Sequence, residues 1–140
     1  MKNQPQKQIN IIIIADNPLF AEMLKKTMVT GLKENAAVLT MSSADAFFHE
    51  IESARIDADA IVLDYELNEK PNEAQSCKNV IDKIKRLSPE TPIIVISDEK
   101  HMEQAAKTLQ YGANEYVIKD KFAFSHITNA VNSVLHPSRS

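Results

Sequence analysis

The sequence has little of what several large classes of site require. Cysteine occurs once in 140 residues, at Cys77, which excludes an internal disulfide and fits a reducing compartment. Only two glycines are present, and neither sits in a phosphate-cradling loop or a nucleophile elbow. The histidines His49, His101, His126 and His136 show no metal-ligand spacing and read as surface residues. No basic stripe accompanies the formal net charge of −3, so no direct nucleic-acid partner is expected. No apolar run approaches the roughly 18 residues of a membrane span. The polar start Met1–Gln8 also lacks the apolar core of a signal peptide, so a cytoplasmic protein without a membrane partner is expected. Repeats, low-complexity tracts and interdomain linkers are absent, and the length fits one domain around one core.

What is there is a set of four apolar runs, each ending on a polar residue: IIIIAD at Ile11–Asp16, AIVLD at Ala60–Asp64, PIIVIS at Pro92–Ser97 and EYVIK at Glu115–Lys119. Unbroken β-branched runs of this length suit strands buried on both faces, which occur mostly in parallel sheets covered by helices. In open α/β sheets the ligand crevice lies outside the carboxyl ends of the strands. Asp16, Asp64, Ser97 and Lys119 are therefore expected to converge there although far apart in sequence.

Between the runs the pattern is helical. Asn17-Pro18 reads as a cap followed by proline at the first helical position, and Leu19, Met23, Leu24, Thr27, Met28 and Leu32 form a stripe at three- and four-residue intervals. Ala37–Met41 is a weaker strand, after which Ser42 or Ser43 caps a short helix burying Ala44, Phe47, Phe48 and Ile51. Asn68–Ser76, with Pro71, makes a long polar connection beside Asp64. Val80, Ile81, Ile84 and Leu87 mark a third helix stopped by Ser88-Pro89. Met102, Ala105, Ala106 and Leu109 mark a fourth, ended by Gly112 as a left-handed C-cap. Tyr116–Ile118 form the fifth strand, and Phe122, Ile127, Ala130, Val131, Val134 and Leu135 the last helix. The expected fold is α/β, a doubly wound five-stranded parallel sheet with helices on both faces. It should occupy residues 9–136, between a disordered polar tail at 1–8 and a C-terminal tail at 137–140.

The segments ADNPLF, VLDYEL, IIVIS and YGANEYVIKD, in that order, resemble the receiver domains of bacterial two-component response regulators from Ile9 to Leu135. The resemblance implies the flavodoxin-like receiver fold with strand order 2-1-3-4-5. It also implies that Asp64 is the phosphoacceptor, served by a sensor histidine kinase or phosphotransfer protein, with Ser97 and Lys119 completing the catalytic set. Mg²⁺ would be held by Asp16, Asp64 and the backbone carbonyl of Glu66. Ser97 and Tyr116 would form the switch, acting on a downstream protein through the face made by the fourth helix, fifth strand and fifth helix. A homodimer is a further form such output can take. Intrinsic catalysis would extend only to self-phosphorylation and self-dephosphorylation, so the chain is not expected to be an enzyme.

Some positions depart from the family pattern. Ala15 stands where the first of two adjacent acids is usual, so Mg²⁺ binding is expected to be retained but weak. Asp98 replaces a small residue, and with Glu66 and Glu99 it adds negative charge that should slow phosphorylation. These features favour an alternative, a degenerate pseudo-receiver binding its partner independently of phosphorylation. Each residue also has a purely structural reading: Asp16 or Asn17 as a helix cap, Ser97 as the cap of the fourth helix, Tyr116 as sheet packing, and Asp64 as the ion-pair partner of Lys119 alone.

Overall fold

The computed structural model describes residues 8–54, 57–68 and 76–137. Strand β1 (Ile9–Ile14) leads to helix α1 (Pro18–Gly31), followed by β2 (Ala36–Met41), α2 (Ala44–Ala54) and β3 (Ala60–Asp64). A 3₁₀ turn, Tyr65–Asn68, follows β3. Then come α3 (Cys77–Leu87), β4 (Ile93–Ser97), α4 (Met102–Ala106), β5 (Glu115–Ile118) and α5 (Ala123–Leu135). All neighbouring strands are parallel, as the alternation of runs and helices implied, and their order is β2-β1-β3-β4-β5, as the family resemblance implied.

The register decides where the polar strand ends meet. Ile14 pairs with Leu63, Asp64 with Ile96 and Ser97 with Ile118, so β1, β3, β4 and β5 all finish at one edge. Because strand side chains alternate, a continuous apolar run supplies both faces of the sheet. Ile11, Ile13, Val62, Ile94 and Ile96 pack with Leu24 and Met28 of α1 and Ile127 and Val131 of α5. On the opposite face Ile12, Ile14, Ile61, Leu63, Ile93 and Val95 pack with Phe47 of α2 and Val80, Ile81 and Ile84 of α3. Each such buried aliphatic contributes about 1.5–3 kcal/mol, and the sheet edge inherits a rigid base.

The caps fall where short polar side chains permit. Asn17 Oδ1 accepts from Phe20 N at 3.0 Å with Pro18 opening α1, Ser43 Oγ accepts from Ala46 N at 3.0 Å, and Ser76 Oγ from Asn79 N at 3.3 Å. Gly112 adopts φ 123° after the 3₁₀ turn Lys107–Tyr111, a conformation that side chains rarely tolerate.

Four expected stripes differ from the buried faces, and on α3 the difference is confined to Leu87, exposed at the last position. On α1 the buried line is Ala21, Leu24 and Met28, while Leu19 and Met23 are exposed. At 100° per residue these two lie roughly 140° and 100° around the helix from Leu24. The fourth helix is only five residues long and is flanked by 3₁₀ turns at Glu99–His101 and Lys107–Tyr111. Three residues per turn align Ala105 with Thr108, which are buried, and leave Met102 and Leu109 outside. Phe122 precedes α5 and is exposed. The connection read as Asn68–Ser76 lies outside the described residues at 69–75, as do the terminal tails at 1–7 and 138–140.

Candidate functional site

Asp64 closes β3 with its carboxylate almost wholly enclosed, at 3% exposure. Lys119 follows β5, and its backbone N–H donates to the carbonyl of Ser97 at 2.7 Å, fixing the chain where β4 and β5 end. From that anchor the Lys119 side chain reaches across β4, and Nζ lies 3.1 Å from both Oδ1 and Oδ2 of Asp64. The same ammonium stands 5.5 Å from the centre of the Phe20 ring, within cation–π range.

A second carboxylate enters the site from the 3₁₀ turn. The Glu66 N–H donates to Asp64 Oδ1 at 3.0 Å, so the turn folds back onto the residue that precedes it. The Glu66 side chain then places Oε1 2.7 Å from Lys119 Nζ. The Asp98 N–H donates to both Glu66 oxygens, at 3.1 and 3.2 Å. Asp98 also caps the turn after β4, its Oδ1 accepting from His101 N at 3.0 Å and lying 2.9 Å from His101 Nδ1. His101 Nδ1 is 3.3 Å from Glu66 Oε2, so Glu66, Asp98 and His101 form one half-buried cluster.

Burial dominates the acidity of Asp64 and raises its pKa from 3.8 to about 6, against the opposing pull of Lys119. At neutral pH the group is therefore mainly ionised yet poorly solvated. Burial works against the charge of Lys119, but the bond to Glu66 and the Asp64 charge outweigh it and hold its pKa above the ordinary lysine value. Burial would raise Asp98, but its bonds to His101 prevail and lower it. Burial pushes the Cys77 thiol up to about 12, leaving it protonated and unreactive.

The expected residues are distributed unevenly. Asp64 and Lys119 are in direct contact. Asp16 stands exposed beyond β1 with no hydrogen-bond or ion-pair partner among the described residues, and the cap of α1 is Asn17. Ala15 is buried in the core shared with α1 and α5. Ser97 is fully buried with its hydroxyl donating to the Asp98 carbonyl at 3.1 Å, and the capping role considered for it belongs to Asp98. Tyr116 packs half-buried on the α2/α3 face, where its enclosed hydroxyl has no partner among the described residues.

Two features escaped the sequence reading. Glu66 is expected to offer its carbonyl to a metal and to add negative charge, but the contacts of its carboxylate with Lys119 and the Asp98 N–H are not foreseen. His101 was read as a surface residue but is half-buried against Glu66 and Asp98, because the capping turn carries its ring back over Asp98 Oδ1. The Asp98-x-x-His101 spacing immediately after a strand is the cap signal that would have found it.

The family profile of the response regulator receiver domain matches residues 11–132. A response regulator receiver domain protein from Clostridium thermocellum superposes with a TM-score of 0.75 at 19% identity, over 91% of this chain and 94% of that one. The receiver domain of NtrX from Brucella abortus gives 0.73 at 20% identity, over 91% and 99%. A Francisella response regulator receiver domain gives 0.73 at 15% identity, over 94% and 99%. No curated protein matches the sequence significantly. The chain belongs to the response regulator receiver domain family, the signalling modules of two-component systems. Among the described residues no helix is long and apolar enough to cross a membrane.

Proposed function

We propose that the chain accepts a phosphoryl group on Asp64 from a phosphohistidine of a sensor histidine kinase or phosphotransfer protein. The contact of Lys119 Nζ with both Asp64 oxygens carries this reading. In the transfer an Asp64 oxygen forms an O–P bond as the donor's P–N bond breaks, and the electron pair remains on the ring nitrogen. Anion approaches anion, so placed positive charge supplies most of the catalysis. Lys119 provides one such charge and is held charged by its neighbours.

Receiver domains generally bind Mg²⁺ at an acidic pocket, and the donor chemistry here fits that ion. Asp16 and Asp64 offer carboxylates and Glu66 a backbone carbonyl, an all-oxygen set of the type Mg²⁺ accepts alongside water. The buried methyl of Ala15 leaves one carboxylate fewer, which makes the binding weak. When bound, the ion supplies charge neutralisation at the transferring oxygens.

The Ser97 hydroxyl, released from the Asp98 carbonyl, would donate to a phosphoryl oxygen. Tyr116 is suited to respond, since it pairs with Val95, two residues before Ser97 and on the same sheet face, and no hydrogen bond pins its hydroxyl among the described residues. Output would pass through the face formed by α4, β5 and α5 to a downstream protein or a second copy of the chain. A pseudo-receiver is the second reading, favoured by Ala15 and by the carboxylate of Glu66 on Lys119.

Incubation with phosphoramidate and Mg²⁺, followed by intact mass, separates them. The first reading expects one phosphoryl mass on the wild type and none on Asp64→Asn, whereas a wild type and a Glu66→Ala variant that both stay unmodified support the second.

A further inference from the structure

We propose that the Glu66 carboxylate is a built-in anion that occupies the donors a phosphoryl group on Asp64 requires, so that acceptance demands its displacement. The proposal rests on the phosphoacceptor reading and concerns the regulation of that same site. An anion attached to Asp64 can draw on two donors that already face this pocket, the Lys119 ammonium and the Asp98 N–H. Glu66 engages both. Its Oε1 is nearer the ammonium, at 2.7 Å, than either oxygen of Asp64, at 3.1 Å. Its two oxygens share the Asp98 N–H at 3.1 and 3.2 Å.

The contact differs from a solvated surface pair, because the Glu66 side chain is only 10% exposed and that of Lys119 20%. Two carboxylates compete for one ammonium in a half-dry site, where charge-assisted bonds are stronger than in water. The short arm of the 3₁₀ turn makes the competition local: Glu66 lies two residues beyond Asp64, and its own N–H is tied to Asp64 Oδ1. Rotation of the Glu66 side chain alone frees both donors without moving β3, β4 or β5.

Initial rates of phosphoryl uptake from phosphoramidate in Mg²⁺ test this, with ammonia leaving as the P–N bond breaks and the Asp64 O–P bond forms. Wild type, Glu66→Gln, Glu66→Ala and Asp64→Asn are compared by intact mass, and the Asp98 amide resonance is followed in unmodified protein. Glu66→Ala should accelerate uptake about tenfold, equivalent to about 1.4 kcal/mol. Glu66→Gln, which keeps an acceptor oxygen without the charge, should fall between, and the Asp98 resonance should move in Glu66→Ala. Uptake seen only once Glu66 is removed supports the proposal in its strongest form. Unchanged or slower uptake in Glu66→Ala, with an Asp64-dependent adduct present in the wild type, overturns the proposal and leaves the phosphoacceptor reading intact. An Asp98 resonance that stays in place in Glu66→Ala also overturns it. No adduct in the wild type or in either Glu66 variant overturns the phosphoacceptor reading, and the proposal with it.

Discussion

The two ends of the same sheet edge are built on opposite principles. Where β3, β4 and β5 finish, Asp64, Glu66, Asp98, His101 and Lys119 interlock at distances of 2.7 to 3.3 Å. Where β1 finishes, a buried alanine is followed by one exposed carboxylate, Asp16, without a partner among the described residues. β1, β3 and β4 are equally dry and only β5 is half-buried, so packing beneath the two ends does not account for the difference. It lies in how negative charge is balanced: by fixed protein donors at one end, and at the other by whatever cation the solvent supplies.

Breaking the crowded end should have the largest effect. Lys119→Met removes the cation shared by Asp64 and Glu66, and loss of one partner from a buried pair costs about 3 kcal/mol or more. Because Lys119 pulls the Asp64 pKa down, the acid in this variant takes up its proton above about pH 6, so the loss should be smallest below about 6 and grow as pH rises from there. Urea unfolding across that range measures it.

The next effect has the opposite sign. A folded-state pKa raised from 3.8 to about 6 means the native protein binds more protons than the unfolded chain in between. This group's contribution to stability is therefore complete below about pH 4 and is lost as pH rises through about 6. Asp64→Asn should remove that slope and be more stable than wild type by up to about 3 kcal/mol at pH 8, with little difference below about pH 4. Lys119 keeps Glu66 as a partner in this variant.

At the sparse end, Ala15→Asp should make the two ends more alike. It places a carboxylate against the apolar cluster and should cost about 2 kcal/mol without metal. Mg²⁺ affinity should rise about tenfold, recovering about 1.4 kcal/mol of binding free energy. A Mg²⁺ titration of amide resonances, repeated on wild type, checks both the gain and the weak starting affinity. The smallest effect is expected beneath the crowded end. Tyr116→Phe deletes an enclosed hydroxyl lacking a partner among the described residues and should stabilise the fold by about 1 kcal/mol, read by the urea midpoint.

The architecture was legible because four of the five strand runs end on a polar residue and four helices carry punctuation: Asn17-Pro18, Ser43, Ser88-Pro89 and Gly112 mark boundaries that the structure respects. Helix phase was less legible. Leu19, Met23, Met102 and Leu109 are apolar at helical spacing yet exposed, since α1 and α4 have more apolar residues than one buried face accepts and 3₁₀ turns shift the period around α4. Of the site, the meeting of Asp64 and Lys119 followed from their places at the carboxyl ends of parallel strands. The carboxylate of Glu66 did not, because its direction depends on a 3₁₀ turn and on the Asp98 N–H presented by another loop, neither of which leaves a periodic trace.

The transition from Leu63 to Asp64 has a consequence of its own. One peptide bond separates the driest part of the molecule from its most charged part, and parity along β3 aims the carboxylate. Insert or delete a single residue within Ala60–Asp64 and every side chain beyond that point is turned over: the acid would aim away from Lys119 while Leu63, on insertion, or Tyr65, on deletion, took its seat. Strand length in this protein therefore works as a counting device, with tolerance for exchanging one aliphatic for another and almost none for a shift of one.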